Sequence, residues 1–193
     1  MKYLVFSITL ISQTLFAFGL IISLLFPKNR IWPPPGKKSW QFYFIWISSA
    51  VAFFGGFFLG LLDWNSFILK HWFRFVIGGI FLIGGEALAC WGVRSVGNKA
   101  TSGLASEFII KGPYRYTRNP QYIGNVVLFI GYGLICNSIL TNIVLLIGII
   151  LFLIMPWTEE PWLKEHYGTQ YENYLTKTPR FFSLQRCVLA KNT

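Results

Sequence analysis

Two short polar stretches carry the side chains with which this chain could do chemistry. The first, Ser106 to Gly124, reads SEFIIKGPYRYTRNPQYIG. Gly112-Pro113 forces a turn, while Asn119-Pro120 disfavours helix at Asn119 and suits a helix that begins at Pro120. Backbone N–H groups at such a helix start lack partners and carry the positive end of the helix dipole, so they suit a carboxylate or a phosphate. Arg115 and Arg118 add positive charge there. The second stretch, Thr158-Glu159-Glu160-Pro161, is acidic, and Thr158 is placed to cap a helix whose first turn holds both carboxylates. Read singly, each has a plainer meaning: a basic loop against lipid phosphates, and two acids complementing a helix dipole. Read together, one prefers anions and the other cations. A ligand carrying both a carboxylate and an ammonium group suits the gap between them.

The segments that must position these stretches are strongly apolar. The 193 residues are 54% hydrophobic, 19% aromatic and only 12% charged, with a mean hydropathy of +0.52, which excludes an ordinary soluble globule and a disordered chain. About 20 apolar residues rising 1.5 Å each cross a hydrocarbon core of roughly 30 Å. Residues 3–26, 40–62 and 71–96 meet that length, and 120–136 and 139–157, separated by Asn137 and Ser138, read as a tight helical hairpin. The expected fold is therefore all-α: a polytopic integral membrane protein in one membrane domain, 1–193, with five transmembrane helices and a C-terminal helical hairpin. Three full spans with a shallow hairpin is the alternative. Ala17-Phe18-Gly19 resembles a leader cleavage site, but the apolar run continues past it. Residues 97–119 form a polar loop and 158–193 a tail. In the tail, Leu163, Tyr167, Tyr171 and Tyr174 recur at helical spacing, as in an amphipathic helix lying on the membrane or on other helices. Gly56, Gly60, Gly78, Gly79, Gly84 and Gly85 read as close helix-packing positions.

The net charge of +10 does not make this a nucleic-acid binder, because Lys and Arg sit in short loops between apolar runs. With the N-terminus outside, three of the 17 (Lys2, Lys70 and Arg74) fall on the outer side and fourteen on the inner side. That asymmetry predicts an outside N-terminus, a cytoplasmic C-terminus and chemistry at the cytoplasmic boundary, facing membrane lipids. Cys90, Cys136 and Cys187 lack disulfide or metal-ligand spacing and read as unpaired thiols. Glu86 lies inside the third apolar run, where an ionisable group is costly and often functional. It reads either as a residue of a substrate cavity or as a hydrogen-bonded packing residue.

The run from Gly112 to Gly124, followed by Glu159-Glu160, Tyr167-Gly168, Tyr171 and Tyr174, resembles the isoprenylcysteine carboxyl methyltransferase family and its phospholipid methyltransferase relatives. These are small integral-membrane enzymes that use S-adenosylmethionine. The resemblance covers roughly residues 94–182. It implies that 97–119 is a cofactor-binding loop and that S-adenosyl-L-methionine is held by Ser106, Glu107, Phe108 and Ile109, by Tyr114, and by Asn119, Pro120, Gln121 and Tyr122. Lys99 falls near a further contact. Glu159 matches the family's cofactor carboxylate, with Glu160 beside it; Arg118, Glu159 and Glu86 are the candidate catalytic residues.

Two departures bear on the acceptor. Asn119 stands where the family has histidine, so a titrating base is replaced by an amide. Met155 stands where the isoprenylcysteine enzymes carry a substrate-binding arginine. The expected activity is methyl transfer to a lipophilic or membrane-partitioned acceptor, with the faces of Tyr114, Tyr116 and Tyr122 lining the cationic centre. A nicotinamide-dependent membrane reductase of the sterol type and a non-catalytic membrane subunit are the alternatives. Neither the acceptor nor the oligomeric state is legible.

Overall fold

The computed structural model describes residues 1–182; Cys187 and the rest of 183–193 lie outside the described residues. Six α-helices follow one another: α1 Lys2–Leu25, α2 Trp40–Leu62, α3 Phe73–Thr101, α4 Pro120–Cys136, α5 Ile139–Tyr167 and α6 Thr169–Lys177. There is no strand among the described residues. Four helices, α1, α2, α3 and α5, are long and apolar enough to cross a membrane, while α4 is apolar but shorter, at 17 residues. The sequence expectation of five spans thus becomes four long candidates and one short apolar helix.

Several boundaries differ from the sequence reading. α3 does not stop at residue 96 but runs to Thr101 across a kink at Gly97, whose φ of 82° breaks the helical path. Thr158 caps nothing, because α5 continues through Pro156 and Pro161 to Tyr167 and the Thr158 hydroxyl donates to Met155 O at 2.7 Å. Prolines are tolerated in such a helix where its neighbours re-satisfy the freed backbone groups. At 29 residues α5 is about 43 Å long. It is therefore longer than a hydrocarbon core is thick. The tail is not one helix either: Gly168, at φ 52°, separates α5 from α6.

Close approach of α3 and α4 rests on glycines of both helices. A Cβ at Gly124 would fall 2.6 Å from Ala89 N and 2.7 Å from Gly85 O, and one at Gly131 would fall 2.6 Å from Gly78 O. Gly79 and Gly84 have nothing within 4 Å, so they do not serve packing within the chain. On the other side of the bundle, Phe16, Leu20, Ile45, Leu151 and Met155 join α1, α2 and α5 in one buried cluster, and Leu128, Phe129, Tyr132, Cys136 and Leu145 join α4 and α5 in another.

Polar bonds lock the hairpin turn. Ser138 Oγ accepts from Thr141 N, capping α5, and donates to Asp63 Oδ2 at 2.8 Å. Asn137, left-handed at φ 48°, accepts from Leu69 N and donates to Asn65 Oδ1. Asp63, just beyond α2, also meets Lys2 Nζ at 2.9 Å. Burial opposes its ionisation, but hydrogen bonds from Ser66, Lys2, Ser138 and the Leu140 amide outweigh that and hold the carboxyl at about 2.

Gly124→Ala drives a methyl group into the α3 backbone and is expected to destabilise the protein by about 1–3 kcal/mol. Gly84→Ala, facing open space, is expected to be neutral. Detergent-titrated unfolding of the two variants beside the parent chain checks the contrast.

Candidate functional site

The site forms where α3 ends and α4 begins, at the end of the bundle opposite the Asn137 turn. Gly112 takes φ 55° to open a 3-10 turn, Gly112–Arg115, and a Cβ there would meet Trp91 Nε1 at 2.8 Å, so backbone conformation and close packing both require glycine. The chain then reaches Asn119 and starts α4 with Pro120 at the first helical position, as the sequence predicts. Asn119 does not cap the helix with its side chain. Instead its Nδ2 donates to Arg180 O at 2.9 Å, Thr117 Oγ1 donates to the same carbonyl at 3.1 Å, and Arg118 N donates to Pro179 O at 3.0 Å. The strap after α6 is thereby tied across the bend.

α5 returns to the same end, and its protruding turns carry the acids. Glu160 Oε1 lies 3.0 Å from Arg118 Nη1, and Glu160 Oε2 lies 2.6 Å from Arg180 Nη2. Arg180 Nε also donates to Oε1 at 2.8 Å, making that contact bidentate. Burial pushes the Glu160 carboxyl up, and the guanidinium groups of Arg180 and Arg118 more than offset it, holding the group below the usual carboxylate range. The Arg118 contact is an ion pair without hydrogen-bond alignment: its buried Nε and Nη1 have no hydrogen-bond partner among the described residues.

Glu159 has a different environment. Trp32 Nε1 donates to Oε1 at 2.7 Å and the Tyr122 hydroxyl donates to the same oxygen. Oε2 accepts no hydrogen bond among the described residues. Enclosure pushes this carboxyl up to about 7, against the pull of its Tyr122 and Trp32 donors, and the neighbouring Glu160 pushes the same way as burial.

Between these groups lies a cleft of about 880 Å³, its open mouth included. Phe108 forms one wall, with the rings of Tyr167, Tyr171 and Tyr174 at 5.1, 6.0 and 5.7 Å from it. Tyr167 and Tyr174 hydroxyls donate to Ser106 O and Tyr114 O, at 2.9 and 2.7 Å, fastening the 103–114 segment to α5 and α6. Gln121 Nε2 donates to Tyr114 Oη and Thr101 Oγ1. Burial pushes the phenols of Tyr114, Tyr171 and Tyr174 up, so they stay neutral.

Of the residues singled out from the sequence, Ser106, Glu107, Phe108, Ile109, Tyr114, Arg118, Asn119, Gln121, Tyr122, Glu159 and Glu160 all line this cleft. Four do not. Glu86 is exposed on α3, where its carboxylate accepts, among the described residues, only from the Cys90 thiol at 3.0 Å, because the face of α3 that meets α4 is the glycine face. Lys99 is exposed beyond the Gly97 kink, while its neighbours Ala100 and Thr101 turn inward. Pro120 is buried behind the cleft, against α3 near Gly92. Tyr116 is 71% exposed and points away. Met155, at the position of the family's arginine, is buried in the α1–α2–α5 core.

Sequence reasoning missed the loop between α1 and α2. Trp32 is 4% exposed, its ring lies where a Cβ on Gly103 would collide, and its backbone N–H donates to Ser23 Oγ at 2.8 Å. The run Trp32-Pro33-Pro34-Pro35 signals a stiff loop, but nothing in it points to Glu159. Tyr171 and Tyr174 were legible as one face of a helix and as part of the family resemblance, but not as lining of the site.

Residues 73–170, just over half of the chain, match the family model described as phospholipid methyltransferase. The chain belongs to that family, whose members are membrane methyltransferases. No curated protein and no solved structure gives a match.

Glu160→Gln removes the charge that balances two largely buried guanidinium groups. It is expected to cost about 1–3 kcal/mol and to free the strap. A lowered melting temperature, with faster proteolysis after Lys177, would register both effects.

Proposed function

We propose that this member of the phospholipid methyltransferase family transfers a methyl group from S-adenosylmethionine to a lipophilic acceptor at the cytoplasmic face of the membrane. The observation that carries this reading is the pairing, across one cleft, of two groups that have no hydrogen-bond partner among the described residues: the carboxylate oxygen Glu159 Oε2 and the buried Nε of the Arg118 guanidinium, whose Nη1 is ion-paired with Glu160. Those are complementary to the ammonium and the carboxylate of an amino-acid moiety.

On this reading Glu159 binds the ammonium, Arg118 and the amides at the α4 start bind the carboxylate, and the segment Ser106–Ile109 with Tyr114, Asn119, Gln121 and Tyr122 encloses the rest. S-adenosylmethionine, when bound, supplies a methyl group on a positively charged sulfur. The chain's own part is to bind, orient and desolvate. Tyr114 and Tyr122 offer ring faces to a cation, worth about 0.5–2 kcal/mol each, and the walls built from Phe108, Tyr167 and Tyr171 shield one side of the cleft from bulk water. Holding the two reactants in line supplies much of the acceleration without a covalent intermediate. Asn119 is committed to the strap carbonyl and cannot titrate, so no proton is assigned to it. An acceptor with an apolar tail would approach through the bilayer, and the basic loops at this end of the bundle suit anionic headgroups. The Lys and Arg asymmetry supports an outside N-terminus and a cytoplasmic site.

Glu159→Gln is expected to weaken binding of S-adenosylhomocysteine at least tenfold in calorimetric titration while the melting temperature holds within a few degrees. Heat on titration with NADPH and none with S-adenosylhomocysteine would overturn the reading. A second expectation concerns pH. The ionised form of Glu159 is the binding form and the free carboxyl titrates at about 7. Affinity should therefore rise as pH increases from 5 to 7, by up to about tenfold per unit, and level off above it. Glu159→Gln should flatten that profile.

A further inference from the structure

The structure assigns to Trp32 the task of positioning the Glu159 carboxylate, so that the loop between α1 and α2 completes a site whose other parts come from the second half of the chain. This inference rests on the proposed role of Glu159 and goes beyond it. Trp32 lies outside residues 73–170, the segment that carries the family match.

Three observations support the assignment. First, the indole Nε1–H and the Tyr122 hydroxyl converge on the same oxygen, Glu159 Oε1, which fixes the carboxylate's rotation and leaves Oε2 as the oxygen available to a ligand. One donor alone would leave the group free to turn about its terminal bond, a soft torsion with no strongly preferred setting. Second, both donors are neutral. They orient Glu159 without cancelling its charge, unlike the guanidinium groups on Glu160. Third, Trp32 is itself held from several sides. Ser23 Oγ accepts from the backbone N–H groups of Ile31 and Trp32 at 2.9 and 2.8 Å, and Trp46 packs edge-on at 6.4 Å between ring centroids. The Gly103 backbone lies against the far edge of the ring, where only the absence of a side chain leaves room. A residue serving only to fill space would not need its one polar atom aimed at the cleft's unpaired acid.

Glu159 is faced by Tyr122 from α4, Tyr114 from the 3-10 turn, Tyr171 from α6 and its own neighbour Glu160, with Arg118 lining the same cleft. Among the described residues only Trp32 and Tyr122 donate hydrogen bonds to it. Removing the indole donor destabilises the ionised form and should shift the titration of the site upward, which loss of packing alone would not do.

The test uses the full chain in detergent and S-adenosylhomocysteine as the probe, titrated between pH 5 and 9. Trp32→Phe keeps a ring and loses the donor; it should bind about tenfold more weakly at pH 7, with the midpoint of its pH profile raised by about one unit. Trp32→Gln loses the ring but keeps an N–H the same number of bonds from Cβ, and its midpoint should stay near that of the parent chain. A Trp32→Phe profile with the parental midpoint, or a Trp32→Gln midpoint that moves as far as that of Trp32→Phe, overturns the assignment. Glu159→Gln separates the two levels of inference. If it binds like the parent chain, the proposed role of Glu159 and the Trp32 assignment both fall; if it loses binding while Trp32→Phe behaves as the parent, only the Trp32 assignment falls.

Discussion

One partly buried carboxylate, Glu160, holds three segments of the chain against each other. Arg118 comes from the bend before α4, Glu160 from the protruding end of α5 and Arg180 from the strap after α6. Two guanidinium groups brought so close in a partly dry environment would repel strongly without the carboxylate between them. With it, the bend and the strap are drawn to the same point, and the neutral hydrogen bonds from Asn119, Thr117 and Arg118 N to the strap carbonyls have their partners in reach. The aromatic wall follows, because α6, which supplies Tyr171 and Tyr174, immediately precedes that strap.

The cluster could not form unless two helices of unequal length finished level. α4 rises about 25 Å from Pro120 to the hairpin turn, and α5 needs about 31 Å to bring Glu159 back. The difference is roughly one helical turn, which carries the acids past the start of α4 to the height of the residues before it. Arg118 is there. The Asn137 and Ser138 bonds at the far end fix this register, and the glycine contacts of α3 with α4 fix the lateral position of the bend. Each residue of α5 advances the helix by about 100°, so a slip of one position that turned Glu159 toward the arginines would carry Glu160 a further 100° away from them and leave Trp32 without its carboxylate.

How much of this was readable beforehand depends on the range of the interaction. Runs of apolar residues, the Pro120 helix start and the Gly112-Pro113 turn are local properties, and they were legible with errors only at the ends. Those errors share a cause: α3 and α5 continue past their apolar runs because tertiary contacts, Gln121 on Thr101 for α3 and Arg118 and Arg180 on Glu160 for α5, support turns that propensity alone would not. The juxtaposition of the basic bend with the acidic pair followed from chain reversal. Glu86 misled because an acid in an apolar run signals function without saying which face of the helix it occupies. Trp32 was invisible, since its contact with Glu159 spans 127 positions and a tryptophan beside prolines at a membrane boundary has an ordinary explanation in the interfacial belt.

Adjacent glutamates suggest a pair acting together, yet the two have separate tasks. Glu160 is consumed internally: with Arg118 and Arg180 it forms a cluster carrying one net positive charge. Glu159, oriented by uncharged donors, keeps its negative charge when ionised and faces the cleft. The site is therefore balanced overall but divided, positive on the side of the bend and negative on the side of Trp32. A ligand bearing one carboxylate and one ammonium at matching separation satisfies both sides and leaves the balance unchanged, so it gives up its hydration without leaving an unpaired charge behind. A simple anion or a simple cation would satisfy one side and leave the other unpaired. On the proposed reading, selection for an amino-acid moiety would follow from how the two acids are partnered more than from the mere presence of two acids, and that partnering is set by the Arg118–Glu160–Arg180 cluster.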